Sequence, residues 1–409
     1  MKKYFLLAAM VGVALTGCVS NEPDLSGGGE KEITFSTPVV GASTKAVVFG
    51  EIGTTYPTTE KFVVYAVWHE AFNDATSNWK NGSLYMDGVE VEYNSTTGDG
   101  DTPAEGATAG NGAWKPATTA DQYYWPKNGS LSFAAYSPAG IAGTGTSEPT
   151  IIYGENGLSI TGFTVPSTCA AQYDLLFSER TFNKTSSTGG SNETYDGVDL
   201  TFQHALSSIQ FKAKMLDDYS GTTISITKIE LSGIYSKGDF AENVQDGAAY
   251  AYQTNKVPAW SNQASQATYT AFDGTTTAQV VTTTLTRVAN STTSGTATKY
   301  TDAILLPQTL ATASSDGTST TEGAKVTITY TINPPGDSTD AITQTYEVSL
   351  NDGTNDAITK EWKPGMRYTY IISIGLDEIY FAPAVEPWDD DLDGDNSTNG
   401  DDDIEVPQV

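Results

Sequence analysis

Asp389, Asp391, Asp393 and Asp395 recur at every second position near the end of the chain, with Gly394 among them and Ser397 two residues beyond. Oxygen ligands at alternate positions with a glycine at the sixth are what a calcium loop requires: the hard cation takes many oxygens, and the glycine lets the chain turn around it. The twelfth position, which should supply a bidentate glutamate, is Gly400, and Asp401 falls one residue late. Two readings stand: a weak calcium site at Asp389, Asp391, Asp393 and Asp395, or an acidic tail that is simply solvated. The missing strong ligand favours the second. No other cofactor is expected.

The rest of the chain is poor in catalytic material. His69 and His204 are its two histidines, and neither has a second histidine at metal-ligand spacing. HExxH, GxSxG and P-loop patterns are absent. His204, inside an alternating apolar stretch, reads as an interior or bulge residue hydrogen-bonded to backbone. Among 50 acidic residues no glycosidase-like pair stands out. The run Tyr123-Tyr124-Trp125-Pro126 could stack on sugar rings, or be a strand end whose rings alternate between core and surface; the second is the simpler reading. No enzyme is expected.

The first residues carry covalent chemistry of another kind. Lys2 and Lys3 precede an apolar run from Tyr4 to Leu15, which leads into Leu15-Thr16-Gly17-Cys18. The run falls short of the ~20 residues a membrane span needs and has the flanks of a signal-peptide core. Small residues followed by cysteine resemble the lipobox of bacterial lipoproteins, which makes residues 1–17 a signal peptide and Cys18 the lipidated residue; the alternative is an ordinary secretory signal with an incidental cysteine. Each buried acyl methylene contributes ~0.8 kcal/mol, so several chains anchor permanently. Val19 rather than aspartate after the cysteine points to the outer membrane, surface-exposed. With Cys18 lipidated, Cys169 stands alone, so neither an intrachain disulfide nor a cysteine zinc site is available.

The formal net charge is -29, and loss of Lys2 and Lys3 takes it to -31. A field of that sign repels nucleic acid and anionic lipid. Hydrophobic residues make up 38%, with 22 tyrosines and 14 phenylalanines, which is enough to fill real cores. The remainder is rich in Thr, Ser, Gly and Asn, a composition that leans to strands.

The elements that must position these residues are strands almost throughout, since the apolar periodicity is two or a short continuous run. Residues 62–68 and 131–136 read as strands, the second ended by Ser137-Pro138. Val326, Ile328, Tyr330 and Ile332 share one face of another, and Tyr368, Tyr370, Ile372 and Ile374 share one face of a fourth. Leu200, Phe202, His204 and Leu206 alternate, then the phase slips to Ile209, Phe211 and Ala213, so a turn or bulge is expected at Ser207-Ser208. Residues 378–388 are the last strand material. Polar, Gly-rich stretches lie at 19–31, 94–113 and 182–197. The expected organisation is all-β, with a tether and first strand at 18–45, sandwiches at 46–188 and 189–388, and an acidic tail at 389–409.

Several segments in this order resemble the fimbrillin family: EITFSTP and STKA, WKPATTADQYYWPKNGSLSFAAYSP, YDLLFSE, VDLTFQHALSSIQFKAK, ILLPQTL, WKPGMRYTYIISIG and AVEPW. The resemblance implies two tandem β-sandwich domains of transthyretin-like or immunoglobulin-like topology, made as a lipoprotein precursor. It further implies cleavage after a basic residue, loss of the first strand, and strand exchange with other fimbrial subunits to form a fimbrium. The matching cleavage position is Lys45-Ala46, where family members carry arginine. Adhesion is the implied role, with a host or glycan ligand; a monomeric outer-membrane lipoprotein that binds glycans is the alternative.

Overall fold

The computed structural model describes residues 32–40, 54–56, 58–70, 82–94, 114–118, 121–141, 149–154, 157–178, 180–185, 197–242, 258–294, 297–312, 322–336, 341–351 and 360–387. They are β-strands joined by turns and short 3-10 segments, and the chain is all-β as its periodicity predicts. Three large sheets surround two hydrophobic cores.

The first sheet has its long strands at Phe62–His69, Ser83–Tyr93 and Ser130–Ser137. From Ser130–Ser137 it continues through Leu176–Ser178 and Thr201–His204 to the short pairs at Val39–Val40 and Thr54–Thr55. Every residue of Ser130–Ser137 is buried. The reason is that the sheet has a core on each face: Leu131, Phe133 and Ala135 point into the smaller core, whereas Val63, Tyr136 and Phe177 point into the larger one. A strand covered on both sides must be apolar without alternation, which is how residues 62–68 and 131–136 read.

The larger core lies between two further sheets. In one, Ser207–Met215 pairs in parallel with Met366–Ile374, which pairs with Ile379–Pro387. In the other, the long Thr223–Ala241 strand pairs with Lys325–Asn333, Ala259–Asp273 and Gly157–Thr164. Sheet membership crosses residues 188 and 189 in both directions. The Thr150–Gly154 and Gly157–Thr164 hairpin joins Thr223–Ala241, and Thr201–His204 joins Leu176–Ser178.

Lys325–Asn333 alternates buried and half-buried as expected. Met366–Ile374 differs: Thr369 and Ile371 on its other face are buried as well, and Thr369 donates to Gln210 Oε1 at 3.1 Å. The phase slip near 207 also resolves differently. The break falls at Ala205-Leu206, where the chain leaves the first sheet, and Ser207 and Ser208 already belong to the next strand. Their buried hydroxyls are used, Ser207 Oγ donating to Lys363 O at 2.8 Å and Ser208 Oγ to Asp302 Oδ2 at 3.4 Å.

At the margin of the larger core, Tyr65 stacks on Tyr153 at 5.2 Å. Arg180 fixes that tyrosine, donating from Nε to its hydroxyl at 3.2 Å and from Nη2 to Gly154 O at 3.0 Å. Deep in the larger core Trp362 Nε1 donates to the Tyr370 hydroxyl at 3.0 Å, both residues being buried. Tyr370→Phe keeps the ring and removes the acceptor. It is expected to destabilise by ~1–3 kcal/mol, the cost of an unsatisfied buried donor. The check is a lower midpoint of urea unfolding with an unchanged slope.

Candidate functional site

The candidate site is built around the segment 32–40. Its backbone is held from two sides. On one, Ile33 N–H donates to Tyr123 O at 2.8 Å and Phe35 N–H to Trp114 O at 3.0 Å. On the other, Ser36 N–H donates to Val198 O at 3.1 Å, Val198 N–H to Thr34 O at 2.8 Å and Val39 N–H to Leu200 O at 3.1 Å. Phe35 thus sits antiparallel to Trp114 and parallel to Val198. Trp114 belongs to the last strand of the first sheet, and Val198 leads into the Thr201–His204 strand near its other end. The segment therefore joins the sheet's two margins.

Its side chains complete the smaller core. Ile33, Phe35 and Val40 are buried there. The Phe35 ring meets Phe62 and Phe133 edge-on, each at 5.9 Å, beneath a cluster in which Tyr56 contacts Phe62, Trp114 and Phe202. Burial pushes the Tyr56 hydroxyl well above its ordinary range, so it stays protonated, and it shares a 2.6 Å hydrogen bond with Ser137 Oγ. At ~1.5–3 kcal/mol for each buried side chain, the three contribute roughly 5–9 kcal/mol. That is comparable with the entire net stability of an ordinary domain, ~5–15 kcal/mol. An empty position here would expose unpaired strand margins and an open aromatic core.

Ser36 Oγ adds a 2.6 Å bond to Asp199, and Gly197 makes the close approach feasible. Gly197 has φ +112°, and a Cβ there would lie 2.4 Å from Ser36 N and 2.5 Å from the Phe35 carbonyl carbon.

The C-terminal strand Ile379–Pro387 pairs with Met366–Ile374 along its whole length and is the margin of its sheet among the described residues. Phe381 stacks on Tyr370 at 5.0 Å, while Tyr380 and Val385 are about half exposed. The segment is thus extended and apolar, as its sequence suggests, and is docked onto its own chain.

Cys18, Lys45, Ala46, Asp389, Asp391, Asp393 and Asp395 lie outside the described residues. In sequence Lys45 follows Val40 by five residues. Among the described residues no group of three or more His, Cys, Asp or Glu is arranged to hold a metal ion. His69 and His204 sit far apart in one sheet. His69 is opposite Ser130, and His204 is opposite Leu176, itself opposite Ser137. Seven residues of strand separate those serines, roughly 23 Å, so the histidines share no ligand. His204 is buried, and its Nδ1 meets Asp174 Oδ2 at 2.5 Å. Cys169 is buried beside Thr270 O, and burial pushes its thiol up to about 11, which leaves it protonated and inert at neutral pH. In the Tyr123–Trp125 run the rings alternate: Tyr123 half-buried, Tyr124 exposed, Trp125 in the core.

The described residues are thus all-β, with the 32–40 segment closing the first sheet. The profile of the fimbrillin-like family matches residues 58–388, and the chain belongs to that family of non-enzymatic surface proteins of fimbriae and cell adhesion. Its fold is similar to that of a fimbrial protein from Bacteroides vulgatus, with a TM-score of 0.52 at 17% identity, over 88% of this chain and 100% of that one. A protein ascribed to cell adhesion from Bacteroides ovatus matches at TM-score 0.43 and 14% identity, over 88% of this chain and 98% of that one. The tip fimbrial protein Mfa3 of Porphyromonas gingivalis, in a form with a C-terminal truncation, matches at 0.29 and 10%, over 80% of this chain and 94% of that one. No curated protein matches the chain at a significant level.

The close approach at Gly197 gives a test of how the segment is held. In Gly197→Ala the new methyl group must displace Phe35 and Ser36, at a local cost of ~1–3 kcal/mol. Hydrogen exchange at the Phe35 and Ser36 amides is expected to quicken by about 5- to 150-fold on the same scale. Amides of Lys325–Asn333 should be unchanged.

Proposed function

We propose that the protein is a pilus subunit, exported as an outer-membrane lipoprotein precursor, lipidated at Cys18 and cut between Lys45 and Ala46. In this reading the cut releases the 32–40 segment, the vacated position takes a strand from another fimbrial subunit, and the resulting fimbrium serves adhesion. The observation that carries the reading is the placement of 32–40: held on both sides, buried at Ile33, Phe35 and Val40, and upstream of the basic site. A strand removed there leaves a surface that strand addition repairs, through main-chain bonds for affinity and alternate side-chain pockets for register.

Two segments at the other end are candidates to supply that strand. Ile379–Pro387 offers Ile379, Phe381 and Val385, and is the margin of its sheet among the described residues. Beyond the Asp-rich stretch, Ile404, Val406 and Val409 offer a second apolar set. A donor burying three such side chains gains ~1.5–3 kcal/mol from each. Each restored ladder bond adds a net ~0.5–1.5 kcal/mol. The acidic spacer at Asp389–Asp395 would then serve as solvated linker rather than as a calcium site.

Expression of residues 46–409, 18–409, 46–388 and 46–375 tests the assembly. Only forms lacking the first segment and keeping a donor should give detergent-resistant, heat-labile ladders. Residues 18–409 should stay monomeric, and 46–375 should give none. Loss of ladders in 46–388 assigns the donor to the tail, and their persistence assigns it to Ile379–Pro387. A well-folded, strictly monomeric 46–409, or ladders from 46–375, would contradict strand exchange.

A further inference from the structure

Three tyrosines lie together at one edge of the first sheet, two of them packed against the margin of the smaller core. Tyr85, on Ser83–Tyr93, and Tyr123 are half-buried and lie ring to ring at 5.8 Å with a 52° tilt. Tyr124 beside them is 47% exposed. We infer that the Tyr85–Tyr123–Tyr124 face is a binding site for a neutral saccharide.

The face is built rather than incidental. The Tyr85 hydroxyl donates to Tyr124 O at 2.5 Å, and Ile33 N–H donates to Tyr123 O at 2.8 Å, so the backbone carrying both outer rings is held from two sides. Trp125, the next residue, is anchored in the smaller core against Phe133 at 5.8 Å. Rings held in this way offer wide amphipathic contact at little conformational cost, which suits the apolar face of a pyranose. Asp121 and Asp87 are exposed at the same place and close enough to act on the Tyr123 hydroxyl, which burial first and then these carboxylates hold above its ordinary range. Carboxylates beside an aromatic face accept hydrogen bonds from sugar hydroxyls. The same two charges, in a chain of net charge -29, repel uronates and sulfated glycans. Ring stacking beside two carboxylates therefore favours neutral sugars. The three rings and the Tyr85–Tyr124 bond lie outside the 32–40 segment, whereas the Ile33 hold belongs to it; the test is therefore made on residues 18–409, where its outcome is independent of polymerisation.

The test is titration of the purified protein with maltohexaose, cellohexaose, xylohexaose and mannohexaose, with hexagalacturonate as the charged comparison, each at millimolar concentration. At least one neutral hexaose should bind and hexagalacturonate should not. Tyr124→Ala, which removes an exposed ring, should weaken binding by about tenfold or more with the thermal midpoint unchanged. Tyr85→Phe, which keeps the ring but releases the Tyr124 carbonyl, should weaken it less. Binding to none of the four neutral sugars, equal binding by Tyr124→Ala, or preference for hexagalacturonate would overturn the assignment.

Discussion

The structure depends on one closure: residues 32–40 run between the margins of the first sheet and carry Phe35 into the centre of its core. Five backbone hydrogen bonds, from Ile33, Phe35, Ser36, Val39 and Val198, fix the segment on both sides. The segment comes first among the described elements, so its departure breaks the connection between no two of the others; the closure fills the core and is topologically separable at once. That combination distinguishes it from Ser130–Ser137, which is buried throughout but threaded through the middle of the chain.

The larger core is closed by different means. Its parallel pair, Ser207–Met215 with Met366–Ile374, joins strands remote in sequence, and the Thr223–Ala241 strand acts as a spine for hairpins from both halves of the chain. Phe177 against Phe240 at 5.4 Å and Trp260 Nε1 donating to Ala205 O at 2.6 Å tie this core to the first sheet. Phe62, in the smaller core, sits on a strand whose neighbouring Val63 points into the larger core, so the larger core backs the first sheet there.

Much of this was legible in the sequence. Strand class, the continuous apolar runs at 62–68 and 131–136, and the alternation of 325–332 follow from side-chain periodicity, which local residues alone determine. Sheet membership does not follow, because pairing partners are distant. Nothing in Thr150–Gly154 or Gly157–Thr164 says that they join Thr223–Ala241. That strand is itself masked by register shifts, one of them spanning Gly233, whose φ of +71° would read as a turn. Burial of Ile371 on a second face was hidden for the same reason, since alternation reports one face and not what covers the other. At the groove, Ile33 and Phe35 were visible as strand material, whereas Gly197 looked like the end of a polar loop. Its role emerges only when Phe35 and Ser36 are seen against it. Tyr85 carried no signal that it would meet Tyr123.

The central claim is that the chain exists in two forms, one closed by its own 32–40 segment and one that has given that segment up. N-terminal sequencing of protein sheared from the surface of the cells that make it tests this most directly. The account predicts a chain beginning at Ala46. Sheared, polymeric material whose chains still begin at the lipid-bearing Cys18 would contradict it.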